Sequence, residues 1–236
     1  MRKIFVDKIS DEGIISGDDH NHVSVVLRAR VGDILTLCDG DGFDYRYEIT
    51  KIDKKSTSLK LLDKIKVESE PIAKIDLFVA LLKADKLEWV CQKCTELGVS
   101  EIRPFMSDFV QVKRESVRPD RLNKIAKEAA QQCGRGRVPT VCEPIKFDQM
   151  LDALPCYDTV LFMYEKSGQK LPDIIKKDGK KIAIIVGSEG GFSDKEAEQI
   201  IARGVRPINL GKRILRAETA CVVATALAAY EAGELQ

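Results

Sequence analysis

No stretch of this 236-residue chain approaches the roughly 18 to 20 consecutive apolar residues that a membrane-spanning helix needs. Apolar runs such as Ile182–Val186 and Ala220–Ala229 stop far short. The N-terminal run Met1-Arg2-Lys3-Ile4-Phe5-Val6-Asp7 meets an acid before any apolar core of the kind a secretory signal carries. Histidine is scarce: His20 and His22 are the only two, and neither sits beside a Ser or Cys nucleophile in a recognisable local motif. That argues against a catalytic triad. No G-x-x-x-x-G-K-[ST] is present, which excludes a P-loop. The seven cysteines are odd in number and scattered, which suits reduced thiols in a cytoplasm better than a disulfide framework.

What is there is an ordinary globular composition, 44% hydrophobic and 32% charged, with enough length for a sizeable core. The net charge of +1 conceals an uneven distribution. Residues 1–70 carry 12 basic against 14 acidic side chains, whereas residues 103–137 carry 9 basic against 4 acidic. A local positive field of that kind attracts polyanions even when the whole chain is near neutral. On charge alone the plainer reading is a solvated helix face.

Two textures meet near residue 70. Before it, short strands alternate with turns: Val31–Leu37, the doubled Asp-Gly signal Asp39-Gly40-Asp41-Gly42, the period-two run Phe43–Ile49 and Ser58–Leu62. A single helical stretch, His20–Ala29, interrupts them. This pattern predicts a small β-barrel over residues 1–70. From Pro71 to residue 236 strands and helices alternate. Lys74–Leu82, Asp158–Tyr164 and Lys181–Val186 read as buried parallel strands, and Pro207–Leu210 as a short one. Helices are expected over Asp85–Leu97, Arg118–Cys133, from the capping box Ser193-Asp194-Lys195-Glu196 to Gly204, and over Glu218–Tyr230. The fold class is α/β, a mostly parallel sheet behind a small β domain.

Some chemical-looking signals have plainer explanations. Cys91 and Cys94 form a C-x-x-C pair, but no second pair completes a zinc site, and the motif lies inside a helix rather than at its start. No metal site is expected. Trp89, at helical spacing among apolar residues, is expected in the core.

Two junctions carry more. Ile182–Val186 runs into Gly187-Ser188-Glu189-Gly190-Gly191-Phe192-Ser193, a glycine turn between strand and helix that lets backbone approach a ligand. The spacing is not that of a dinucleotide fingerprint, and Asn209 and Leu210 stand where the acidic ribose partner would fall. Asn209-Leu210-Gly211-Lys212-Arg213-Ile214-Leu215-Arg216-Ala217-Glu218-Thr219-Ala220 is a second such junction, rich in cations and small residues. Adjacent strand ends bearing these loops would form one crevice at the edge where α/β sheets bind ligands.

Together the two junctions resemble the paired motifs of the RsmE family, SPOUT-class methyltransferases acting on N3 of a uridine in 16S ribosomal RNA. Lys83-Ala84-Asp85-Lys86, Gln92–Val99, Glu128–Arg135 with Val138-Pro139, and His22–Arg28 extend the similarity over nearly the whole chain. Ser188 stands where proline is common in the family, and Ala217 where threonine is common. The resemblance implies a PUA-like RNA-binding barrel, a C-terminal trefoil knot, an obligate homodimer and S-adenosylmethionine as methyl donor. It implies donor contacts from Met163, Gly187, Ser188, Glu189, Gly190, Gly191, Leu210, Gly211, Ile214, Leu215, Arg216, Ala217, Thr219 and Ala220. Arg213 and Arg216 are the candidates to stabilise a uracil anion, and Glu165 to accept its proton or to cap a helix. Arg2, Arg28, Arg30, Arg121, Lys124 and Arg135 are the candidate RNA contacts, with no membrane partner. Rival readings are a catalytically silent RNA-binding protein and a dinucleotide-dependent oxidoreductase.

Overall fold

The computed structural model describes residues 3–6, 8–9, 12–166 and 181–235. They divide into two compact units, residues 1–70 with 130–138 and residues 71–129 with 139–236.

The first unit is a five-stranded sheet of β1 (Lys3–Phe5), β2 (Glu12–Ser16), β3 (Ile34–Cys38), β4 (Phe43–Ile52) and β5 (Ser56–Lys66) in the order β1-β3-β4-β5-β2. Only the β1–β3 pair is parallel. Period-two patterning sets the burial in β4, where Tyr45, Tyr47 and Ile49 are buried among Ile4, Leu35 and Leu59. The two Asp-Gly steps turn the chain between β3 and β4, with Gly40 and Gly42 both at φ near +90°. The helix expected over residues 20–29 is broken into a short α1 (Gly17–Asn21) and a π-helical turn, His22–Val26. Three valines crowd that turn, and Arg28 at φ +49° ends it. His20 is buried and shares a hydrogen bond with the Thr57 hydroxyl at 2.9 Å.

Residues 130–138, which a single cut at residue 70 leaves with the second unit, pack with the first. The Gly134 carbonyl accepts from Lys3 and Ser69, and the Gly136 carbonyl from the Cys38 thiol. Glu70 accepts from the backbone N–H groups of Gly136 and Arg137 at 2.7 and 3.0 Å.

The second unit alternates β6 (Lys74–Ala80), α2 (Ala84–Glu96), β7 (Glu101–Phe105), α3 (Pro119–Cys133), β8 (Thr140–Val141), α4 (Phe147–Ala153), β9 (Thr159–Met163), β10 (Lys181–Val186), α5 (Asp194–Ala202), β11 (Pro207–Ile208) and α6 (Ala217–Glu231). All six strands run parallel in the order β11-β9-β10-β6-β7-β8. Central strands are apolar on both faces because helices cover both. Phe78, Phe162 and Ile185 pack under α4 and α5, and α6 lies over β10 and β6 on the other face, against α2. Small residues on α6 (Ala220, Ala224, Ala228) let it approach the sheet closely.

Cys91 and Cys94 are buried inside α2, and burial pushes both thiols up to about 12, so neither is a nucleophile or a ready metal ligand. Trp89 is not in the core: it is 41% exposed on the outer face of α2. No helix among the described residues is long and apolar enough to cross a membrane.

Candidate active site

The parallel pairing of β11, β9 and β10 brings three strand ends side by side. Each continues into a loop, and the three loops enclose a cavity of about 490 Å³. From β9 come Met163, Tyr164 and Glu165; from β10, Val186 and Gly187–Phe192; from β11, Ile208 and Asn209–Arg216. Ala217 and Ala220 of α6 and Lys86 of α2 complete the lining.

Glycine is required in the β10 turn for steric reasons. A Cβ on Gly187 would lie 2.9 Å from the Phe192 ring and 3.1 Å from the Gly191 carbonyl carbon, and one on Gly190 would lie 2.9 Å from Cβ of Phe109. The turn closes through Gly191 N–H donating to the Ser188 carbonyl at 2.9 Å. Phe192 plugs its base, edge-on to Phe162 at 5.1 Å between ring centroids. Behind it, the Ser193 hydroxyl accepts from the Glu196 N–H at 3.2 Å and the Glu196 carboxylate accepts from Ser193 N–H at 3.0 Å, so the expected capping box opens α5. The same buried carboxylate accepts from Asp108 N–H at 2.9 Å, which fixes the loop that carries Phe109 against Gly190.

The β11 loop is shaped by Asn209, whose side-chain oxygen accepts from Gly211 N–H at 2.6 Å, an Asx turn. Arg213 and Arg216 follow it, both exposed on the cavity lining and paired with no carboxylate among the described residues. Glu218, their nearest acid in sequence, instead faces Lys86 at 3.6 Å. Lys86 also bonds Glu189 at 3.1 Å, and that bond, with the flanking acids, holds its ammonium above the ordinary lysine range. Burial works to raise the Glu189 carboxyl, but a backbone N–H bond and Lys86 outweigh it and leave the group below its usual range. Glu165 faces the glycine turn, its carboxylate 3.5 Å from where a Gly191 Cβ would stand.

Every expected cavity residue except Thr219 lines this space. Thr219 sits on α6 between Ala217 and Ala220 but contributes no surface to the cavity, because helical spacing turns it away from the face those alanines share. Val186, Phe192, Asn209 and Lys212 line it from within the two junctions, while Lys86, Tyr164 and Ile208 line it unforeseen. Asn209, two residues before Gly211, carries an Asx-turn spacing, whereas Lys86 left no signal of a place in this cavity. The RNA candidates separate. Arg28, Arg30 and Lys124 are exposed, and Arg2 lies outside the described residues. Arg121 is engaged by Glu88 at 2.6 Å. Arg135 is a correction: it is 5% exposed and its guanidinium is held by Glu70 at 3.2 Å, so no phosphate can reach it.

Residues 68–229 match the family model of an RNA methyltransferase domain, and residues 15–62 that of an RNA methyltransferase PUA domain. The ribosomal RNA small subunit methyltransferase E of Bacillus subtilis is 32% identical over 228 residues, covering 92% of this chain and 89% of that one. The chain belongs to the ribosomal RNA small subunit methyltransferase E family. Solved structures of similar proteins superpose closely. The Neisseria gonorrhoeae enzyme bound to S-adenosyl methionine gives a TM-score of 0.89 at 31% identity, over 98% of this chain and 97% of that one. A methyltransferase of Legionella pneumophila in complex with the same molecule gives 0.89 at 30% identity, with 97% of both chains covered.

Proposed function

We propose that this protein transfers the methyl group of S-adenosylmethionine to N3 of a uridine in 16S ribosomal RNA of the small subunit. The observation that carries the reading is the cavity at the ends of β9, β10 and β11, one wall of which is the turn Gly187–Gly191, held in place because Phe192 and Phe109 leave no room for a Cβ on Gly187 or Gly190. The donor set fits S-adenosylmethionine: backbone N–H and C=O groups for a polar heterocycle and amino acid, with Met163, Leu210 and Leu215 beside them for apolar surface. When bound, it supplies an electrophilic methyl on a sulfonium.

This chain's own residues supply the rest. Holding donor and acceptor in contact removes much of the barrier. N3 must lose its proton before its lone pair can form the new N–C bond. Glu165 is the wall carboxylate without a cationic partner among the described residues, whereas Glu189 is bound by Lys86, so Glu165 accepts that proton. Arg213 and Arg216 stabilise the negative charge left on the uracil oxygens. The first unit and the exposed cations of residues 103–137 hold the RNA.

Further parts of the reading rest on the family resemblance: residues 1–70 as the PUA-like RNA-binding domain, residues 71–236 as the catalytic domain with a trefoil knot, a homodimer, and a cytoplasmic setting. The return of α6 from the β11 edge to cover β10 and β6 supports the knot. Trp89 on α2 and Tyr230 on α6, 41% and 64% exposed on two helices that pack together, support a covered apolar surface in a dimer.

The test is incubation of the purified protein and labelled donor with unmodified small subunits, followed by mass mapping of the ribosomal RNA. One methyl group on N3 of a single uridine is expected. RNA binding without methyl transfer would favour the silent RNA-binding alternative, and stabilisation by NAD rather than by S-adenosylmethionine would overturn the donor.

A further inference from the structure

A second cavity, of about 260 Å³, opens at the same carboxyl edge of the sheet, beyond the end of β6. Buried Leu82, Leu87 and Leu122 and half-buried Val112 and Val117 give it an apolar lining, exposed Ser116, Arg118 and Arg121 border it, and the Glu88 carboxylate in its wall is taken up by Arg121. The junction between β6 and α2 is the wall it shares with the donor cavity, because Ala84 and Leu87 face one space and Lys86 the other. The two bordering arginines differ. Arg121 is gripped through two nitrogens by Glu88, at 2.6 and 2.9 Å, whereas Arg118 pairs with no carboxylate among the described residues.

We infer that this second cavity receives the base of a nucleotide next to the target uridine, with Arg118 on that nucleotide's phosphate; the inference rests on the function proposed above. A uridine whose N3 is to react must be unpaired, since N3 lies on its pairing edge, and its neighbours in the strand are released from stacking with it. Single-stranded RNA is recognised through such splayed bases, which offer an apolar face joined to an anionic backbone. An apolar slot bordered by Arg118 matches both halves of that ligand. The same segment adds exposed Lys113 and Arg114 against one exposed acid, Glu115, so with Arg118 the charge beside the cavity is net positive and complements a phosphate chain. β10 and β6 are hydrogen-bonded neighbours, about 4.8 Å apart as in any sheet, so a strand crossing this edge from the donor cavity meets the second one next.

The experiment uses small subunits reconstituted with unmodified ribosomal RNA in two forms, with each base flanking the target either present or removed to an abasic site. Wild-type protein, Ser116→Trp, which fills the cavity from an exposed position, and Arg118→Ala are compared for binding and single-turnover methylation. Donor affinity by calorimetry reports that each variant is folded. Removing one particular flanking base should weaken wild-type binding about tenfold. Ser116→Trp should lose a similar factor with the intact RNA and be indifferent to removal of that base. Arg118→Ala should lower the slope of log affinity on log salt by about one. Wild-type methylation with no dependence on any flanking base, or an undiminished base dependence in Ser116→Trp, overturns this inference alone. If Ser116→Trp fails to bind donor, an unchanged salt slope in Arg118→Ala overturns it. A wild-type protein that neither binds S-adenosylmethionine nor methylates RNA overturns the proposed function with it.

Discussion

At the scale of single residues, the donor cavity depends on what is missing from its side chains. Gly190 lies so close to Phe109 that even a Cβ would stand at 2.9 Å, and valine adds two methyl groups to that clash. Gly190→Val should therefore abolish the rise in melting temperature that S-adenosylmethionine produces in the wild type. Gly190→Ala is expected to lose most of the same shift and to regain part of it when combined with Phe109→Gly, since the obstructing atom is the Cβ of Phe109. A thermal-shift series on the four proteins tests this; a full shift in Gly190→Val would remove the turn from the donor site. The arginines answer to a different measurement. If Arg213 or Arg216 stabilises the uracil anion, its change to alanine should cut turnover on the order of a hundredfold with donor affinity nearly intact. A raised Michaelis constant for RNA at preserved turnover would instead assign the residue to a phosphate, and dissociation of a dimer in sedimentation would assign it to the interface. Full activity in both variants would take them out of the mechanism.

At the scale of elements, two buried polar groups tie neighbouring segments together. Glu196 closes the capping box of α5 and also anchors the loop after β7 through Asp108. Glu196→Ala leaves both N–H groups without their acceptor and should cost about 2 kcal/mol in denaturant unfolding. Loss of only a few tenths would mean that solvent replaces the carboxylate freely. At the opposite end of the sheet, the Tyr157 hydroxyl donates to buried Asp76 at 2.7 Å. Burial, then the neighbouring carboxylate, pushes the Tyr157 hydroxyl far above its ordinary value of 10.0. The sign follows: the folded state holds this proton more tightly than the unfolded state, so the stability it contributes is complete below pH 10 and declines as pH rises beyond it. Tyr157→Phe should be less stable than wild type at neutral pH, because Asp76 loses a partner, yet show a shallower fall of stability above about pH 10. Parallel pH profiles for the two proteins would sink this account.

At the scale of the whole molecule, the charge asymmetry acquires a narrower meaning. Of the cations between residues 103 and 137, Arg135 is buried against Glu70 and Arg121 is engaged by Glu88, while Lys113, Arg114, Arg118 and Lys124 are exposed. Reversing Lys113 and Lys124 should flatten the salt dependence of RNA binding by about one in slope for each phosphate that is no longer neutralised. Changing Arg135 should lower stability instead, because Glu70 would be left half-buried without its guanidinium. Equal effects of the two on the salt slope would contradict the division.

Much of this was legible in the chain itself, because it depends on local patterns. Continuous apolar runs announced β6, β9 and β10, helical spacing announced α2 and α3, and Ser193 with Glu196 announced the start of α5. The glycine turn and the Leu210–Ala217 junction could be recognised as a site since their residue types and spacing are contiguous. β1 and β2 escaped notice: strands of 3 and 5 residues are too short for a periodic signal and are held by their partners across the sheet. The same limit applies to side chains whose role comes from distant partners. Lys86 reaches the donor cavity only because α2 packs beside α6 and the β10 turn, and nothing near it in sequence points there. Trp89 reads as core on its own helix, yet it is 41% exposed there. Arg135 reads as an RNA contact until Glu70, 65 residues away, takes its charge. Backbone conformation and amphipathic pattern are properties of consecutive residues, so the sequence by itself determined the elements and the chemistry each loop can offer. Which charges are spent on each other, and which remain for a ligand, depends on residues far apart in the chain, and only the tertiary structure decided it.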